Sequence, residues 1–236
     1  MQPKRRVGRR RLLVGLSAVS LWSARAPLAA LDPALEAGGW REMTFRDKPG
    51  NHYRLDGSGA VTIESRASVS VAWRDLPADP RRTPILRWLW RVDLPVPPTD
   101  LTRKGGDDRS LAVYLAFAWV PEQASLVERS VRAVLSSLAG QDLPGRLLTY
   151  VWGGNGRHDG WIDNPYLPAG AKLRVLRDSS APLGTWLEER VDVSADYRAA
   201  FGEDPPEVER IGVGADSDDT GSAAKGAVRD LAWHPR

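Results

Sequence analysis

Apolar and polar residues alternate along most of this chain with the period of two that a half-buried β-strand requires. Across 84–94, Leu86, Trp88, Trp90 and Val92 share one face while Arg87, Arg91 and Asp93 take the other. The period recurs at 60–64, where Val61 and Ile63 point one way, and at 68–73. Residues 111–119 are apolar on both faces, which predicts a central strand. Segments 147–152, 172–177, 186–194, 208–215 and 227–233 bring the expectation to about nine or ten strands. Breakers such as Gly57-Ser58-Gly59, Pro95-Val96-Pro97-Pro98 and Pro205-Pro206 separate them. Many short strands without a βα rhythm predict an all-β fold, an antiparallel β-sandwich or jelly roll.

Two stretches carry helical spacing instead. In 125–139, Ser125 and Glu128 stand at capping-box spacing, and Leu126, Val127, Val131, Val134, Leu135 and Leu138 form an apolar stripe that Gly140 stops. This predicts an inserted amphipathic helix within about 122–142. A second helix is predicted at 195–201, with Ser194 as N-cap, Asp196 in the first turn and Gly202 as its stop.

Residues 1–30 read as an export signal and not as fold. Lys4, Arg5, Arg6, Arg9, Arg10 and Arg11 precede an apolar run, Leu12 to Trp22, that is too short to span a bilayer. Gly8-Arg9-Arg10-Arg11-Leu12-Leu13 looks like a twin-arginine signal, with a plain secretory signal as the alternative. A periplasmic or secreted protein without a transmembrane span is expected, its single domain covering 31–236. The leader holds seven Lys and Arg and no acid, so 26 basic side chains face 30 acidic ones in the remainder. The sequence pI near 9.4 therefore belongs to the leader, and no nucleic-acid partner is expected. Zero cysteines exclude disulfides, thiolate metal sites and a cysteine nucleophile, and ten tryptophans suit a core that must hold without cross-links.

Carboxylates crowd at two places. Asp216-Ser217-Asp218-Asp219-Thr220-Gly221 follows one predicted strand, and Asp107-Asp108 precedes another. If strands 147–152 and 208–215 both run antiparallel to 111–119, these loops and the loop 153–161 share one rim. Asp107, Asp108, Asp216, Asp218 and Asp219 could then hold a hard cation such as calcium. No EF-hand is present, since the twelfth position from Asp216 is Ala227. The competing reading pairs Asp107 or Asp108 with Arg109 or Arg103, and lets Asp218 and Asp219 cap their own turn.

In that order the chain shows a tryptophan-rich strand at 86–90, Gly106-Asp107-Asp108 before a strand containing Tyr114, and Leu148-Thr149-Tyr150-Val151-Trp152. Trp186, Glu189-Arg190, Asp196-Tyr197 to Phe201-Gly202 and Asp216 to Thr220 follow. With these residues it resembles the bacterial domain-of-unknown-function family 3047, a group of exported proteins, over roughly 38–234. The resemblance implies one β-sandwich domain similar to carbohydrate-binding modules and galactose-binding-like domains. It brings no assigned activity, and the stretch 122–142 looks like an insertion relative to shorter members.

Three functions compete. A non-catalytic glycan- or small-ligand-binding module would use Trp152, Asn155, Arg157, His158 and Trp161, which combine flat rings with hydrogen-bonding groups. A glycoside hydrolase or lyase would need two carboxylates, and Glu188 and Asp192 share a strand face, although Arg190 lies between them. An envelope scaffold would bind another protein through the inserted helix. No Gly-x-Ser-x-Gly elbow, phosphate loop or zinc-binding helix occurs, and His52, His158 and His234 are scattered. Binding without catalysis is the favoured expectation.

Overall fold

The computed structural model describes residues 30–124, 126, 129, 145–156 and 159–236. The export segment 1–29 lies outside them, and of the helix expected at 125–139 only Leu126 and Arg129 are described, both helical. Strands are numbered along the chain and form two sheets. One sheet orders Ala30–Leu31 (β1), His52–Leu55 (β3), Val61–Arg66 (β4), Ala223–His234 (β13), Ile85–Leu94 (β6) and Leu187–Asp192 (β11). The other orders Arg41–Thr44 (β2), Val69–Ala78 (β5), Val208–Asp216 (β12), Arg109–Phe117 (β7), Leu147–Gly153 (β8), Ala171–Arg177 (β10) and Ile162–Asp163 (β9). The result is a two-sheet β-sandwich. Pairing is antiparallel except for β1 with β3 and β8 with β10. Among the described residues no helix is long and apolar enough to cross a membrane.

The expected alternation of β6 holds in three dimensions. Leu86, Trp88, Trp90 and Val92 are buried between the sheets. They meet Tyr150 and Trp152 from β8, with Trp88–Trp90 centroids 5.5 Å apart and Trp90–Trp152 centroids 5.4 Å apart, both edge-to-face. This edge-to-face geometry matches the negative face of one ring to the positive edge of the next. Strand β7 is central as its two-sided apolarity predicts, flanked by β12 and β8.

Strands β1, β2, β3 and β9 escaped the sequence pattern because they are at most four residues long; β2, moreover, is mostly exposed. The second helix, α2, spans Val193–Phe201, and Asp192, not Ser194, caps it by accepting from the Ala195 amide at 2.9 Å. A carboxylate at this position also meets the helix dipole, which a serine hydroxyl does less well. Gly202 ends α2 in the left-handed region at φ 75°. Asp196 is buried, takes the Tyr150 hydroxyl at 2.8 Å and the Arg174 guanidinium at 2.5 Å, and so docks α2 on the sandwich. A short helix, α1 (Pro33–Ala37), precedes β2.

Because Trp90 is fully buried in this ring cluster and also donates to Glu189 at 2.9 Å, Trp90→Ala is expected to cost about 3–5 kcal/mol. Urea unfolding measures it, and a loss below about 1 kcal/mol would mean the cluster does not carry the core.

Candidate functional site

The antiparallel neighbours of β7 bring the acidic loops together. Arg109 opens β7, opposite Gly153 at the end of β8 and Asp216 at the end of β12. Its guanidinium is 8% exposed. It donates to the Asp107 carbonyl at 2.7 Å, the Asp107 carboxylate at 3.2 Å and the Tyr114 hydroxyl at 3.2 Å, and pairs with Asp216 Oδ2 at 3.2 Å. Asp108 is fully buried and accepts the Thr220 amide at 2.8 Å, the Thr220 hydroxyl at 2.6 Å and the Asp219 amide at 3.3 Å. Lys48 sits on the Asp218 carboxylate and lies 4.0 Å from Asp219. The Asp216 carboxyl also meets that of Asp218, a hydrogen-bond contact that needs a proton between the two.

These groups form one end of a cleft of about 520 Å³ on the outer face of the seven-stranded sheet. Tyr114, Ala116, Thr149 and Gly212 contribute its floor, while Met43, Phe45 and Trp73 stand on one side and Asn164, Tyr166 and Leu167 on the other. From residue 210 to residue 216 of β12 the floor runs about 20 Å. Trp73 lies against the guanidinium groups of Arg210 and Arg41, 4.6 and 5.1 Å from its centroid. Phe45 and Tyr166 are 43% and 57% exposed, so their rings are the accessible aromatic surfaces.

Burial dominates the titration of this end. It pushes Asp216 up to about 8, opposed by Arg109 and helped by a hydrogen bond to Asp218 and by the charges of Asp107 and Asp108. Asp219 is raised for the same reason, with Lys48 opposing. Burial disfavours the Arg109 charge, but Tyr114, Asp216 and Asp107 outweigh it, and the guanidinium is held more firmly protonated. Burial also raises Tyr114, against the pull of Arg109.

The five acidic candidates therefore do come together, and the oxygens of Asp108, Asp216 and Asp218 lie within 4.8 Å of one another. Their partners are Arg109, Lys48 and turn amides. A calcium ion needs six to eight oxygens. With Asp108 occupied by three donors and an ammonium already on Asp218, the residues as placed do not fit such a shell.

The aromatic candidates fare differently. Trp152 is 1% exposed and faces the core, so it is no ligand platform. Its parity on β8 decides this: Leu148, Tyr150 and Trp152 point inward, and Thr149 points to the cleft. Trp161 packs against Tyr150 with centroids 5.9 Å apart and under Arg174, and neither it nor Asn155 lines the cleft. Arg157 and His158 lie outside the described residues. Glu188 and Asp192 are not a cleft pair. They belong to β11 in the other sheet, where Glu188 takes Arg87 at 2.8 Å and Asp192 takes Arg236 at 2.9 Å besides capping α2.

Phe45, Lys48, Tyr114 and Tyr166 escaped the sequence reading as site residues. One signal was available: Val69, Val71 and Trp73 on β5 fall on the parity opposite to the core, so the outer face of this sheet is apolar and calls for a cover or a ligand.

Among comparisons with known proteins, the model of a family described as a protein of unknown function (DUF3047) matches residues 38–232. No curated protein sequence matches the chain. Among solved structures, the xyloglucanase domain of NopAA, a type three effector from Sinorhizobium fredii solved in complex with cellobiose, is similar at a TM-score of 0.45. Sequence identity is 10%, with 84% of this chain and 93% of that one covered. A mutant of the Emp46p carbohydrate recognition domain is similar at a TM-score of 0.27 and 14% identity, covering 88% of this chain and 95% of that one.

An ordinary Asp ionises near 3.9, so below about pH 4 Asp216 is protonated in both folded and unfolded chains. Between there and about 8 the unfolded chain releases that proton while the folded one retains it, and stability falls as pH rises through this window. Asp216→Asn keeps an oxygen for Arg109 and removes the titration. Its melting temperature should exceed the wild type by a margin that grows from pH 5 to pH 8. An offset independent of pH would refute the assignment.

Proposed function

The chain belongs to the DUF3047 family of proteins of unknown function, and from that premise we propose that it is an exported, non-catalytic module that binds glycan in the cleft of the seven-stranded sheet. The observation that carries this reading is the cleft itself. It is an open trough on a rigid sheet, with exposed Phe45 and Tyr166 at its sides and a convergent polar set at one end. Sugar rings offer apolar C–H faces that stack on aromatic rings, while their hydroxyls need fixed donors and acceptors. The strands supply the floor through Tyr114, Thr149 and Gly212, and the adjoining loops bring Phe45 and Tyr166 to its sides. Export is supported by the basic, then apolar, then small-residue order of residues 4–30.

Hydrolysis is the second reading, and one observation favours it: Asp216, raised to about 8, stands beside Asp218 in the same cleft. Binding is preferred because Asp216 is 8% exposed and clamped by Arg109, which leaves its proton poorly placed to reach a glycosidic oxygen.

Titration calorimetry of the chain against β-glucan, xylan, chitin and peptidoglycan fragments tests the proposal. One class should bind, and Phe45→Ala or Tyr166→Ala should each weaken it about five- to tenfold. Glu188→Gln, on the other sheet, should leave it unchanged. Binding by none of the four classes ends the glycan reading, and release of shortened products would replace it with the hydrolytic one.

The export reading has its own check. Replacing Arg9 and Arg10 together with lysine should retain the chain in the cytoplasm on cell fractionation. Unaltered export of that variant would leave a plain secretory signal.

A further inference from the structure

Charge is distributed unequally along the cleft. The acidic end is balanced from within, because Arg109 and Lys48 hold its aspartates and Asp216 and Asp218 share a proton. At the other end of β12, about 20 Å away, the charge is positive. Arg210 lines the cleft there. Arg41 on β2 and Gly212 on β12 both stand opposite Trp73 on β5, and Arg210 leaves β12 on the same face two residues earlier. The guanidinium carbons of Arg210 and Arg41 lie 4.6 and 5.1 Å from the Trp73 centroid. One indole thus holds two cations close together, each attracted by the ring and repelled by the other.

Little in the chain relieves that repulsion. Asp75 pairs with Arg210 from 3.7 Å, beyond hydrogen-bond reach, and is 66% exposed. Among the described residues Arg41 has no carboxylate partner, and neither guanidinium donates a hydrogen bond. Arg146, which also lines this end, differs: Glu203 at 3.3 Å and the Gln123 carbonyl at 2.9 Å engage it. A ring takes the face of a guanidinium and leaves its hydrogen bonds to depart in the plane. Two forks oriented by one indole therefore present fixed donors, and the acceptor that matches such a fork is a carboxylate, which takes two bonds at once. We propose that Arg210 and Arg41 receive the carboxylate of an acidic sugar, so that the preferred glycan carries a uronic acid at this end of the cleft and uncharged residues towards Asp216. The inference rests on the glycan-binding reading and narrows it. The opposite end fixes the direction of the chain, since a carboxylate placed there would meet Asp218 and Asp219.

Cellobiose and glucuronic acid joined β-1,4 to glucose differ in a single carboxylate, and each is titrated calorimetrically into the full chain at low salt. The acidic disaccharide should bind about tenfold or more tighter, as a charge-assisted contact warrants, and the margin should shrink as salt is added. Arg210→Gln and Arg41→Gln should each remove most of that margin and leave cellobiose binding as it was. Were the arginines only structural, both variants would melt earlier and weaken the two disaccharides alike, which overturns the inference. Arg190→Gln, an exposed position on the other sheet, should retain the preference. Its loss there too would mean attraction to cationic surface in general and would also overturn the assignment. Equal binding of the two disaccharides overturns it and leaves the cleft as a glycan site. Inorganic phosphate binding as tightly as the acidic disaccharide, with the same dependence on both arginines, would replace the acidic sugar with a free anion. Failure of both disaccharides removes the uronic acid, and the four-class panel then decides separately whether the glycan reading falls with it.

Discussion

Arg109 stands where three strand ends meet, and the site depends on it. Five aspartates around one rim repel one another in proportion to how little water screens them, and here little does. A lysine would bring three donors on a flexible stem, but the planar guanidinium reaches a carbonyl, two carboxylates and a phenol at once. Because Arg109 faces Gly153 and Asp216 in register, neutralising the carboxylates also joins the ends of β7, β8 and β12. At Gly153 a Cβ would come within 3.2 Å of the Arg109 Cα and Cβ, so the absence of a side chain there lets the arginine lie in.

The base of the acidic loop is held from the opposite direction. Ser217, next to Asp216, is fully buried; its hydroxyl lies 2.6 Å from that of Ser65 on β4, and its amide donates to the Ser68 carbonyl at 3.1 Å. Asn51 continues the network by donating to the Ala215 carbonyl at 2.8 Å and accepting the Ser68 hydroxyl. These buried groups are satisfied by one another, which makes a polar interior rigid. The floor is shaped by absence of bulk. A Cβ at Gly212 would lie 2.8 Å from Val71, and one at Gly214 only 2.7 Å from the Ser70 carbonyl, so β12 stays flat enough for Tyr114 to lie beside it.

Much of this was legible before any coordinates. Period-two alternation located the tryptophan face of β6, and apolarity on both faces located β7 at the centre of its sheet. The convergence of Asp107-Asp108 with Asp216–Asp219 followed from strand direction alone, because antiparallel neighbours return their loops to the same end. Trp152 shows the limit of reading by composition. A tryptophan beside a glycine-rich loop suggested a platform, whereas its parity with Tyr150 and Leu148 sends it into the core. Phe45 and Tyr166 could not be found this way: they sit in turns outside the strands, and only tertiary packing brings them to the two sides of one trough. Glu188 and Asp192 shared a face as expected, but the partners that occupy them, Arg87 and Arg236, come from distant positions.

The division of labour between the two faces of the seven-stranded sheet explains why an unfavourable carboxylate survives. Cohesion comes from the inner face, where Trp88, Trp90, Tyr150 and Trp152 interlock. The outer face is relieved of that task. Asp216 is buried where its charge is disfavoured and stands in hydrogen-bond contact with a second carboxyl, Asp218, and neither property helps the chain fold. Asparagine in its place would keep the contact to Arg109 without the cost of a buried charge. Groups that destabilise a fold in this manner concentrate at functional sites, where the interaction that compensates them comes from a ligand. Asp216 therefore points to the cleft more strongly than the aromatic sides do, since exposed rings occur on many surfaces and a buried carboxyl that shares its proton with a neighbour does not.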